Sequence, residues 1–539
     1  MSLSVEMRIK QALALYATIG TSPFTCALEE PRRTVQPDHD TAKANAHRIF
    51  NAIHSAGRQW GSSINHNGLS FFPAVMPKGT LMYHGSEANS TPPGPEWLAF
   101  EVEHAEAFAL SLALRGKEQG QESLSDVLQK PIGPMRARQQ SASNLRGYFH
   151  TYRANRDVNL LYVDGMSAGK TRMGTLDSQD LVLRENKTGD VWDGFMDELQ
   201  RASSICDLIK DWGYDGFMRM EIGFEVVYCD FDVGVDLISI KRTVLRKDKR
   251  EEELMNPYQW ARAVTERYDG IGGDRVRIDF SSMVSAFWFP VNISNTDPTR
   301  PDLPRLAAAS PDEWTDIKAH VNKVFVEPRR YTVNWQAVVD MIVMRFSNRF
   351  ALMASPHLAP LRFIDELNVA SLTYFDAPAL PDDVTVLGPK SRNRTSEAIE
   401  ACAEHYLLPT YLVRDDWSLE DHLIHTALET VLSSICRGLY DMRSVIGEET
   451  LDPGSSAPTD TQDLERVVEE SRRILESLRK DLAWTTWKRP QVCPVDEILL
   501  MVMWPVGNPE DYWNPGCRSD SDISFERRGY WWPGHDGRA

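Results

Sequence analysis

Residues 206–231 read CDLIKDWGYDGFMRMEIGFEVVYCDF, and the way this stretch divides decides the fold. Its first residues complete a helix candidate, SSICDLIKDWGYDG, with apolar positions three and four apart and Gly213 in the closing position. Beyond the Gly213-Tyr214-Asp215-Gly216 turn, FEVVYCDF is dense in aromatic and β-branched residues and reads as a strand carrying Glu225. A helix, a tight turn and a strand in that order point to mixed α and β structure.

Working outward, GTLMYHG, EWLAFEV, VNLLYVDG and VDLISIKRTVL are further strand candidates, each bounded by Gly, Pro or Asp, and EHAEAFALSLAL is a second helix candidate. The charged break KDKREEE at 247–253 ends this pattern. After it, DEWTDIKAHVNKVF, VNWQAVVDMIVMRFSNRFALM, WSLEDHLIHTALETVLSSICRGLYDM and DLERVVEESRRILESLRKDLAW all carry helical apolar spacing. Leu419, Leu423, Leu428, Leu432, Ile435 and Leu439 form one stripe, which reads as helical core and not as a cofactor surface. The expected class is α+β. A leader and linker cover 1–42, ending in the polar LEEPRRTVQPDHDTA. A mixed α/β domain covers 43–246, a connecting segment 247–310, and a mostly α-helical domain with a short tail 311–539. The polar PGSSAPTDTQD at 453–463 reads as an exposed loop.

The 539 residues carry a formal net charge of -18, which repels a phosphate backbone and argues against general nucleic-acid binding. No stretch approaches the roughly 18–20 unbroken apolar residues of a membrane span. Seven scattered cysteines without a CxxC pair signal neither a zinc site nor a disulfide scaffold, although Cys493 and Cys517 are placed to pair in a secreted protein. Arg8 and Lys10 before ALALYATIGTSPFTCA fit a weak signal peptide and equally a frayed helix in a cytosolic protein. Sequons at Asn89, Asn186, Asn292 and Asn393 lean towards secretion. Cytoplasmic and secreted locations both stay open.

LYVDGMSAGKTRMG at 161–174 invites a P-loop reading. Gly165 stands one residue too close to Gly169, Asp164 repels phosphate, and RMGTLDSQDLVL lacks a helical repeat. The expected structure is a strand running into a turn with Lys170 solvated. Asn65-His66-Asn67-Gly68 reads as a turn. His422, His425 and Glu429 share a helix face but lack a metal-ligand pattern, so they read as a solvated edge and no metal is expected. The glycines of Asp269-Gly270-Ile271-Gly272-Gly273 lack the strand context of a dinucleotide fingerprint, and no Gly-x-Ser-x-Gly elbow stands out.

GTLMYHGS, EWLAFEVEHAEAFA and GYDGFMRMEIGFEVVYCDF, in that order, resemble the ADP-ribosyltransferase fold of poly-ADP-ribose polymerases and related toxins over about residues 79–240. The resemblance implies NAD as cofactor. It implies that His84 bonds the nicotinamide ribose, that Gly85 lets the nicotinamide amide reach the backbone, and that Glu225 stabilises an oxocarbenium-like transition state. Glu221, four residues earlier, is the alternative inward carboxylate. Where the family offers Tyr or Ser-Thr-Ser, this chain has Trp97-Leu98-Ala99-Phe100, and Phe100 is expected to stack on nicotinamide without supplying a hydroxyl. Arg153 reads as a pyrophosphate ligand or as a surface strand arginine. Nearly the whole chain also resembles a large set of filamentous-fungal proteins of unassigned activity, through RQWGSSINHNG, RYDGIGGDRV and DWSLEDHLIHTALE among other stretches. Three functions are open. The first is an ADP-ribosyltransferase that cleaves the nicotinamide–ribose bond. The second is a natural-product enzyme, for example an aminoacyl-tRNA-using synthase of arginine-containing cyclodipeptides. The third is a non-catalytic binding module on the same fold. The expected partner is a nucleotide or another small molecule.

Overall fold

A computed structural model describes residue 32 and residues 34–109, 147–186, 198–243, 257–265, 270–376, 394–447, 461–489, 492–504, 506–523 and 529–531. The candidate signal peptide, the KDKREEE break, the second half of EHAEAFALSLAL and most of the 453–463 loop lie outside these residues. The end of the expected linker is helical: Asp38 caps the helix His39–Ala44, accepting from Thr41 N at 2.8 Å.

One large sheet organises the α/β half. Its strands are β1 (Asn67–Met76), β2 (Leu81–Ser86), β3 (Glu96–Ala99), β4 (Tyr148–Ala154), β5 (Val158–Gly165), β6 (Gly216–Met220), β7 (Phe224–Tyr228), β8 (Val235–Arg242), β9 (Arg277–Ile278) and β10 (Val284–Ser285). The order is β10-β1-β5-β6-β7-β3-β2-β4-β8, with β9 also on β1. Neighbours run antiparallel except β5 and β6, whose parallel pairing needs a crossover. The helix Glu198–Lys210 lies in that crossover, and Gly213, at φ 81°, turns the chain after it. Every residue of β1, β6 and β7 is buried, which explains why most of their residues are apolar and makes Arg219 and Glu225 the exceptions.

Asn65–Gly68 is not a turn. Asn67 and Gly68 open β1, and a Cβ on Gly68 would lie 2.0 Å from the Asp164 carbonyl. Glycine is there so that β1 can meet the end of β5. His66 is fully buried, and its ring nitrogens contact Asn67 Oδ1 at 2.9 Å and Tyr530 Oη at 2.7 Å.

The later residues form the helical part. Its main helices are Pro311–Phe325, Trp335–Met353, Pro360–Ser371, Arg394–Glu404, Leu419–Ile446 and Thr461–Leu482. Capping boxes start two of them, Ser310 with Glu313 and Ser418 with Asp421. Residues 35–539 form one compact unit. Helix Leu419–Ile446 packs on helix Ala46–Ser55, Trp484 stacks on Phe50 at 5.6 Å, and β9 and β10, from the expected connecting segment, pair with β1. A single hydrophobic core therefore runs through all three stretches.

Two disulfides correct the reading of the cysteines, and a third is the Cys493–Cys517 pair that the sequence offered. Cys206–Cys229 ties the crossover helix to the end of β7, Cys402–Cys436 joins two helices, and Cys493–Cys517 braces the hairpin of Ile498–Leu500 and Gly516–Arg518. The partners stand 23, 34 and 24 positions apart, spacings that carry no motif.

Candidate functional site

Register aligns one row of side chains across four strands. Tyr83 of β2 pairs with Ala99 of β3, Ala99 with Glu225 of β7, and Glu225 with Arg219 of β6. Cross-strand partners share a face, so the row sets an arginine against a glutamate inside the sheet. Beside it lies a cavity of about 270 Å³, whose lining includes His84, Gly85, Trp97, Ala99, His104 and Glu225.

The glutamate is held firmly. Arg219, fully buried, donates from Nε to Glu225 Oε1 at 2.8 Å and from its terminal nitrogens to Glu198 and to Gln179 Oε1. Glu198 also accepts from Arg201 at 2.7 Å and faces Lys170 Nζ at 3.9 Å. Burial alone would raise the Glu198 carboxyl, yet Arg219, Lys170 and Arg201 together hold it well below the usual carboxylate range. Lys170 is therefore not solvated. It is buried in this cluster and lies over the Trp504 ring at 4.8 Å. No helix begins at Gly169, and the next helical turn is Ser178–Leu183, so no phosphate cradle forms there.

Glu221 and Glu225 do not compete for one inward position. Both are buried, and their carboxylates lie with a ring nitrogen of His104 within 4.8 Å of one another. Burial and the nearby Glu225 push the Glu221 carboxyl up to about 8. Burial lowers His104, against the pull of Glu225 and Glu101, so the ring is neutral. Its Nδ1 is buried without a hydrogen-bond partner among the described residues. A neutral imidazole and two carboxylates at this spacing are a donor set that a cation could bridge. Arg219 and Lys170 already supply positive charge beside it.

His84 lies at the cavity with its Nδ1 against the Trp97 carbonyl at 2.8 Å. A carbonyl only accepts, so Nδ1 carries the proton and Nε2 is left as an acceptor. Burial lowers its pKa to about 4, and the acceptor state persists at neutral pH. Burial also raises the Glu96 carboxyl, at the same cavity, to about 7.

His84, Gly85 and Glu225 thus come together at one cavity, but Phe100 and Arg153 do not join them. Glu96, Trp97 and Ala99 of β3 reach the cavity, but Phe100, the residue after the strand, packs into the core, 1% exposed. Arg153 is exposed on β4 and pairs with Asp236 at 3.1 Å. Gly85 also has another reason to be glycine: a Cβ there would meet the Ala105 carbonyl at 2.1 Å, so it admits the protein's own turn after Val102–Glu106. Sequence reasoning missed Arg219, Glu198, Lys170 and His104. Charged residues within an apolar strand, MRM of β6, were the available signal.

Residues 38–147 and 129–250 match the family model described as the YPL277C N-terminal domain. The chain is 27% identical over 555 positions to Uncharacterized protein YOR389W of Saccharomyces cerevisiae, covering 88% of this chain and 84% of that one. It is 40% identical over 218 positions to Uncharacterized protein YPL277C of the same yeast, covering 37% of this chain and 44% of that one. These matches support kinship with an uncharacterized protein family, and their names carry no activity. No solved structure matches the chain.

Proposed function

We propose that the cavity beside β2, β3 and β7 binds the nicotinamide half of NAD and that the protein cleaves the nicotinamide–ribose bond, as an ADP-ribosyltransferase-like enzyme. The observation that carries this reading is the meeting of His84 and Glu225, 141 positions apart by subtraction of their numbers, at one cavity. In this role His84 Nε2 accepts a ribose hydroxyl. Glu225 holds a negative charge near the positive charge that develops on the ribose ring as nicotinamide departs. Arg219 fixes one carboxylate oxygen and leaves the other for the ligand.

The Glu225–Arg219 ion pair also favours a second reading, a binding module without chemistry, because the guanidinium competes for the charge that catalysis needs. Calorimetric titration of the protein with NAD, with His84→Ala as control, tests the site. Nicotinamide release, assayed with Glu225→Gln, separates the two readings. Heat lost in His84→Ala together with turnover lost in Glu225→Gln supports the enzyme. Binding without nicotinamide release supports the module. No heat at millimolar NAD removes both.

A further inference from the structure

All six cysteines among the described residues are paired in disulfides. Disulfides persist in oxidising compartments and are reduced in the cytosol. A chain that folds with three of them is built for the secretory route, where Asn-x-Ser/Thr sequons are glycosylated.

The structure also sorts the four sequons. Asn292 is exposed, and its Oδ1 accepts from Ser294 N at 3.0 Å and Ser294 Oγ at 2.7 Å. The amide to be modified and the sequon hydroxyl are already in contact, and no hydrogen bond holds Asn292 Nδ2 among the described residues. Asn89 is exposed on the loop after β2, between Ala88 and Ser90, which line the cavity. Asn186 differs: its Oδ1 is buried without a partner and its φ is 50°. Asn393 lies outside the described residues.

We propose that Asn292 and Asn89 carry N-linked glycans and that Asn186 does not. The step joins Nδ2 to the anomeric carbon of the first sugar of a lipid-diphosphate-linked oligosaccharide. The bond from that carbon to the diphosphate breaks, the lipid diphosphate leaves, and the Nδ2 proton passes to a base of the transferase. A glycan on Asn89 would stand at the rim of the cavity, where it would limit the approach of large partners.

The test is expression of the full chain from its own first residue in Saccharomyces cerevisiae. The purified protein is digested with an N-glycan-removing amidase in heavy-oxygen water and its peptides are mapped by mass spectrometry. A parallel sample is alkylated under denaturing conditions before and after reduction. The expected result is isotope-tagged aspartate at positions 292 and 89, unmodified Asn186, and six cysteines that alkylate only after reduction. Asn292→Gln should remove one glycan step on a gel, and Ser294→Thr should keep it, which separates loss of the sequon from misfolding. Unmodified asparagine at 292 or at 89, or tagged aspartate at 186, overturns the assignment at that position. Six freely alkylated thiols overturn the compartment and the proposal with it.

Discussion

Two regions of this molecule bury their interiors by opposite means. Helix Leu419–Ile446 buries Leu423, Leu428, Leu432, Ile435 and Leu439, all at 0% exposure, in contacts that need only shape and volume. The sheet around β6 and β7 instead buries Arg201, Arg219 and Lys170 against Glu198 and Glu225. Each ion there depends on a named partner, because desolvating a charge costs several kcal/mol that only close opposite charge offsets. The difference teaches where chemistry is worth seeking. The apolar core tolerates exchange among hydrophobic residues, whereas the ionic cluster fixes the identity of each side chain and adjoins the cavity.

The hardest test of this comparison is Arg219→Ala. It strands Glu225 in the interior, removes one of the cations around Glu198, and should cost about 4 kcal/mol in denaturant unfolding. A loss below about 1 kcal/mol would mean that the cluster is wetter than its burial implies. Next is Leu428→Ala, which opens a cavity in the helical region and should cost about 3 kcal/mol by the same assay. If it exceeds Arg219→Ala, the contrast between the regions is reversed.

A finer test uses pH. The Glu221 carboxyl is raised from 4.5 to about 8, so its contribution to stability is full below the unfolded value and fades as pH rises towards about 8. Glu420, in the helical region, is the mirror case. Burial would raise it, but hydrogen bonds from His320 and Arg330 bring it down from 4.5 to about 2. Its contribution is full above the unfolded value and is lost as pH falls towards about 2. Thermal melts from about pH 2 to about pH 8 should show Glu221→Gln flattening the profile only above the unfolded value of 4.5 and Glu420→Gln only below it. Equal shifts on both sides would remove the distinction. The smallest effect is expected at Arg153→Ala: its ion pair with Asp236 is half exposed, and the melting midpoint should stay unchanged.

The sequence made the long helices legible because their periodicity reports one buried face, and β2, β3, β5, β7 and β8 through their β-branched and aromatic residues, whereas β1, β4, β6 and the helices Pro360–Ser371 and Arg394–Glu404 went unread. Asn67-Gly68 misled because its local preference for a turn is overridden by pairing with β5, almost 100 residues away: Asn67 meets Gly165. Phe100 misled because the end of a strand gives no sign of which residues face a cavity. Lys170 and Arg219 were read past because a charge is presumed solvated until its partners are known, and those partners lie on other elements. The pairings Cys206–Cys229 and Cys402–Cys436 were invisible for the same reason.

The bond between His66 and Tyr530 spans 464 positions, and Tyr512 reaches the carbonyl of Ile64 across 448. During synthesis, then, the entry to β1 cannot be closed until residue 530 has left the ribosome. Contacts of such sequence separation form slowly, and apolar surface waiting for them is prone to aggregate. The aromatic residues that cap His66 therefore close this entry late, and a product stalled before them would lack the cap.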